Sequence, residues 1–169
     1  MPILLLRLTK RAADEYVLTC LRPDGSIARQ QYRGPTAQFF PKHDLAHYAV
    51  ETALGMQRGF YGLVAEGWNL GDFGAPWPRG KLPEDMDLVE WVVGLFDREI
   101  GQQQPWPAEE FNALLAQHQT GHPLSRPVRR LTETDLRKIR ACIGELAALW
   151  AALPVGKTME LPFESGTHQ

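Results

Sequence analysis

The tetrapeptide Pro23-Asp24-Gly25-Ser26 constrains the fold most, because it separates two runs that read as strands. Proline presets φ and glycine accepts a positive φ, so these four residues form a turn. Tyr16 to Leu21 runs into it and Ile27 to Tyr32 leaves it, which predicts a hairpin over residues 16–33. A lone hairpin is marginal in water and needs further strands or a helical cover. Ile3 to Leu8 supplies an apolar first strand. Thr158 to Phe163 alternates and supplies a last one, with Pro162 suited to an edge. The stretch between reads as helix and loop. The expected fold class is therefore α+β. A small antiparallel sheet, made of the N-terminal strand, the hairpin and the C-terminal strand, packs on one face against four to five helices.

Phe39, Phe40 and Pro41 lead into the first helix, with Pro41 near its start, where a missing N–H costs little. That helix should end near Gly55 or Gly59. Phe60 to Trp68 is a second, glycine-punctuated segment, and Gly71 to Pro83 is a loop that reads equally as a lid or binding loop and as an aromatic-stapled Ω-loop. Glu84 to Ile100 is apolar nearly all round, leaving a thin stripe of Asp87, Glu90, Gly94 and Asp97. Ala108 to Gln119 has Phe111, Leu114 and Leu115 on one side. Thr132 or Thr134 caps the last helix, whose core stripe is Leu136, Ile139, Ile143, Leu146, Leu149, Trp150 and Leu153.

The 169 residues fit a single globular domain over 1–169. A net charge of -2 gives no global electrostatic case for nucleic acid or an anionic membrane. Arg22, Arg29 and Arg33 lack aromatic interleaving and read as a solvated sheet edge. The apolar run Ile3 to Leu6 is broken by Arg7 and is too short for a signal-peptide core or a membrane span, so the expected location is cytoplasmic. Cys20 and Cys142 have no ligand spacing and predict no disulfide framework. His118, His122 and His168 read as surface residues.

The densest cluster of chemistry lies at His43-Asp44-Leu45-Ala46-His47 with Glu51 beyond. With His43 at zero, helical geometry puts His47 at about 40°, Glu51 at about 80° and Asp44 at about 100°. Two histidines four apart on a helix can converge on one cation, as in the H-E-x-x-H zinc helix. The candidate metal ligands are His43, His47, Glu51 and Glu90, in two alternative sets. One is His43 and His47 with an outside carboxylate, Glu90 or Glu66. The other is Asp44, His47 and Glu51. Asp44 and Glu51 are the candidate catalytic proton acceptors. The cofactor expected is a divalent metal ion, zinc first, with iron or manganese as alternatives. The chemistry expected is metal-assisted hydrolysis or a lyase reaction on a small polar substrate. Glu90, amid apolar neighbours, is expected to be buried and to pack toward the histidines, with Gly94 allowing the approach. The competing reading is a non-catalytic interaction or scaffold protein, a homodimer through the hairpin or last strand, with the stripe a polar helix face.

Phe40-Pro41-x-His43-Asp44-Leu45-x-His47-Tyr48-x-Val50-Glu51 and Gly59-Phe60-Tyr61-Gly62-Leu63 resemble a group of bacterial proteins of about this length. That resemblance implies no particular activity. His43, Asp44 and His47 are also similar to the H-D-x-x-H zinc motif of the coenzyme-Q biosynthesis factor family. The downstream Glu of that motif is replaced here by Gly59, with Glu66 seven residues later, and those proteins are largely helical. The resemblance therefore implies a metal-binding His-Asp-His cluster. The dipeptide His43-Asp44 is shared with HD-type phosphohydrolases, but no His precedes it to complete their ligand set.

Overall fold

The computed structural model describes residues 2–166, so His168 lies outside the described residues. Strands β1 (Ile3–Ala12), β2 (Glu15–Leu21) and β3 (Ile27–Arg33) come first. Helices α1 (Pro35–Leu54) and α2 (Phe60–Ala65), a 3-10 turn (Leu70–Phe73), and helices α3 (Glu84–Gln102), α4 (Ala108–Gly121) and α5 (Glu133–Ala152) follow. Strand β4 (Thr158–Glu164) completes an antiparallel sheet of order β3-β2-β1-β4. This is the expected α+β arrangement, with Pro162 on an edge strand.

The register explains why the sheet has one wet and one dry face. Leu6 lies opposite Cys20 and Leu161, and Leu8 opposite Leu18 and Met159. Leu4, Leu6, Leu8, Tyr16, Leu18 and Cys20 are buried on one side, while Arg7 and Glu160 pair at 2.8 Å on the other. β1 runs four residues past the expected Leu8. Lys10 is carried in because its ammonium donates to the carbonyls of Trp150 and Leu153, 2.6 and 2.8 Å away. Both carbonyls lie at the C-terminal end of α5, where a cation is stabilising.

Two apolar cores share α1. Leu45 faces the sheet core with Tyr61, Val64, Leu146 and Trp150. Ala46, Ala49 and Val50 face a helical core built on α3, α4 and α5. The start of α1 departs from the sequence reading. The helix begins at Pro35, after Gly34 at φ 63°, and Pro41 lies buried inside it. The N-terminal proline is thus Pro35, and the missing N–H of Pro41 leaves one helical bond unmade. Gly55, at φ 63°, ends the helix as expected.

Other placements also differ. Leu149 is 60% exposed, because it stands about 100° round the helix from the buried Trp150. Arg22 is not a solvated edge residue: it is buried and donates to the carbonyls of Val64 (2.6 Å) and Trp68 (2.7 Å). Arg29 and Arg33 are exposed, as are His118 and His122, which lie against Trp91. Among the described residues, no helix is long and apolar enough to cross a membrane.

Candidate metal centre

The polar stripe of α1 does not face water. Asp44, His47 and Glu51 are buried, and the fold sends the stripe in three directions. Asp44 points to the sheet, where its Oδ2 accepts from the Tyr16 hydroxyl at 2.8 Å. Glu51 points to the start of α2, where its carboxylate accepts from the amides of Phe60 (2.8 Å) and Tyr61 (3.0 Å). His43 and His47 point to α3.

Each imidazole is held from behind. Nδ1 of His43 lies 2.9 Å from Asp97 Oδ2, and Nδ1 of His47 lies 3.3 Å from Glu51 Oε1. Both rings thereby turn Nε2 toward Glu90, at 4.0 Å for His43 and 3.2 Å for His47. One ligand atom from each of His43, His47 and Glu90 lies within 4.8 Å of the others, so the three could hold a metal ion. Tetrahedral zinc with bonds of about 2.0–2.2 Å needs donor atoms spaced on the order of 3.3 Å.

The Asp87/Glu90/Gly94/Asp97 stripe therefore meets the histidines through Glu90 and Asp97, but two of its details differ from expectation. Glu90 is not interior: its side chain is 42% exposed, at the edge of a cavity rather than in the core. Gly94 is not needed for the approach, since a Cβ there would meet nothing within 4 Å. The close approach is elsewhere. A Cβ on Gly59 would stand 2.6 Å from Cδ of Glu51, and one on Gly62 would stand 1.8 Å from the carbonyl oxygen of Gln57. These two glycines let α2 seat its amides on the Glu51 carboxylate. Glu51 is thus placed behind His47 rather than beside Glu90, and Glu66 pairs with Arg58 at 3.0 Å.

Electrostatics follows from this burial. Burial is the main cause that pushes Asp44 up from 3.8 to about 6, opposed by the Tyr16 hydrogen bond and the histidine charges. Burial alone would lower His47, but its hydrogen bonds to Glu51 and Glu90 outweigh that and hold it up at about 10. Burial raises Glu51. It acts the same way on Glu90, where His47 and His43 prevail and keep the carboxyl below its ordinary value. A positive charge between Glu51 and Glu90 is therefore favoured, whether carried by a proton on His47 or by a cation on its Nε2.

The cluster opens into a cavity of about 460 Å³. Asp44 lies on its wall with His43, His47 and Glu90, and Leu70, Phe73, Trp77 and Leu82 from the segment after α2 also line it. That segment is pinned: Asp72 Oδ2 accepts from the Asn69 amide (2.7 Å) and Arg79 Nε (2.8 Å), and Arg79 Nη2 donates to the Gly67 carbonyl (2.9 Å). Trp77 adopts φ 59° and is 49% exposed.

Sequence reasoning named Asp97 without giving it a role. Its signal was present, because Asp97 lies two turns after Glu90 on the same stripe. The Tyr16–Asp44 bond had no local signal, since a strand partner for a helix side chain emerges only from the tertiary packing. No protein-family model, curated protein or solved structure matches this chain.

Proposed function

We propose that the protein binds one divalent metal ion, zinc first, through Nε2 of His43, Nε2 of His47 and the carboxylate of Glu90. In this reading it is a cytoplasmic metal-dependent hydrolase or lyase. The observation that carries the reading is the pair of carboxylates behind the rings, Asp97 on His43 and Glu51 on His47. Such acceptors fix ring orientation and raise ligand basicity at metal sites. Three protein ligands leave a coordination position open, the hallmark of a catalytic rather than a structural zinc site. A bound ion would lower the pKa of a coordinated water. In this reading Asp44, whose residue lines the cavity and whose Oδ2 accepts from Tyr16, would be the proton acceptor. Glu51 keeps a supporting role, because its oxygens are engaged by two amides and an imidazole.

Elemental analysis of protein purified without a nickel column tests this. We expect close to one zinc, iron or manganese per chain, and none in His47→Ala. Asp97→Asn should bind the same metal about ten- to a hundredfold more weakly. Absence of all three metals from the folded wild-type protein would favour the scaffold reading instead.

A further inference from the structure

The cavity beside the metal cluster restricts what could reach an ion there. Five aromatic rings line it, each from a different segment: Tyr32 on β3, Phe40 on α1, Phe60 on α2, Phe73 on the 3-10 turn and Trp77 in the loop beyond. They work as packed surfaces, with Tyr32 and Phe40 stacked at 4.2 Å between centroids and Phe60 and Phe73 tilted against each other at 4.6 Å. Leu70, Leu82 and Met86 add further apolar surface. Away from the cluster and Asp44, the remaining side-chain polar groups are the Gln30 amide, the Tyr32 hydroxyl and the Trp77 indole N–H. Among the described residues lining the cavity there is no Lys or Arg.

Charge points the same way. Glu90 lies against both histidines, Asp97 against His43 and Glu51 against His47. Three carboxylates against one divalent ion leave the site negative before Asp44 is counted. An anionic substrate would meet no cationic side chain in the cavity and would be repelled by the cluster behind the ion. A phosphorylated or polycarboxylate substrate does not fit these walls. The volume lies in the range of pockets that enclose a small organic molecule.

Resting on the reading of His43, His47 and Glu90 as a metal site, we propose that the substrate is an uncharged, ring-bearing molecule. Its ring is held by the aromatic walls, and one of its oxygens binds the ion. The Gln30 amide offers a hydrogen bond to one further polar group.

Three hydroxamic acids separate the parts of this proposal: benzohydroxamic, acetohydroxamic and 4-carboxybenzohydroxamic acid. All share the metal-binding group and differ in ring and charge. Each is titrated into the cobalt-loaded full-length protein and read by the cobalt absorption bands. The ring compound should bind on the order of 30-fold or more tighter than acetohydroxamic acid, from the added apolar area alone. The carboxylated compound should bind about tenfold more weakly than its parent, in proportion to a charge of the wrong sign. Trp77→Ala should narrow the ring advantage severalfold and leave acetohydroxamic acid unchanged. Equal affinity for the ring and methyl compounds, or tighter binding of the carboxylated one, would overturn the substrate class while leaving the metal site standing. Failure to load cobalt would instead remove the metal reading. In that case the class is read in metal-free protein, from quenching of the tryptophan emission that Trp77→Phe lacks. Benzohydroxamic acid must still quench it at lower concentration than acetohydroxamic acid, and failure to do so refutes the proposal.

Discussion

Asp44 is costly for this protein to keep. Its carboxyl is buried against Tyr16, and burial raises it from 3.8 to about 6. A carboxyl raised on folding holds its proton more tightly in the native state than in the unfolded one. Between those two values stability falls as pH rises, and above about pH 6 the whole cost is present. The difference is worth at most about 3 kcal/mol. Asp44→Asn should therefore stabilise metal-free protein at pH 7.5 and have little effect near pH 4, as measured by urea denaturation at both. A variant with no added stability at pH 7.5 would show that Asp44 is compensated in place. Residues at this scale were legible where chemistry and helical spacing agreed: His43 and His47, one turn apart, and Glu90 on the facing stripe. The placement of Glu51 behind His47 was not legible, because two of its partners are backbone amides of another helix, which no side-chain pattern reveals. Gly94 was misread because a glycine at a helix face can mean close approach or nothing, and here it has open space.

At the scale of elements, α2 depends on contacts that a single methyl group would break. Gly59→Ala would press a methyl onto the Glu51 carboxyl, which two amides hold in place. We expect a loss of about 1–3 kcal/mol. Metal affinity should also fall about tenfold, because His47 would lose its acceptor. Calorimetric titration with zinc, beside a urea melt, checks both. The far end of α2 relies on Arg22, whose guanidinium serves the carbonyls of Val64 and Trp68. Arg22→Ala should cost about 2–4 kcal/mol, since two charge-assisted hydrogen bonds are lost and buried acceptors are stranded. Arg29→Ala and Arg33→Ala should stay within about 0.5 kcal/mol, as exposed changes do. The strands and long helices could be read from alternation, turn residues and three-to-four spacing. The start of α1 could not, because two prolines, Pro35 and Pro41, both suited a first turn and local rules disfavour the one that lies inside.

At the scale of the whole molecule, α1 belongs to both apolar cores, and His43 and His47 reach from it to Glu90 on α3. An ion there would clamp the helical layer to the helix that carries the sheet. With free metal about a thousandfold above its dissociation constant, the native state gains about 4 kcal/mol. For a chain of this size that corresponds to a rise of about 10 °C in Tm. Thermal melts with EDTA and with zinc should differ by that amount, and His47→Ala should abolish the difference. The sheet-plus-helix architecture was legible from the order of the segments, but the cavity was not, because its rings come from five separate places along the chain. That dispersal has a further consequence. The His43, His47 and Glu90 trio sits on two long core helices, whereas much of the cavity wall comes from the short stretch 70–82 pinned to itself by Asp72 and Arg79. On the proposed reading, coordination and selectivity would be inherited separately. A transplanted 70–82 segment would change which molecules enter, while the helices would keep the same ion in the same place, so the scaffold is modular at its mouth and fixed at its centre.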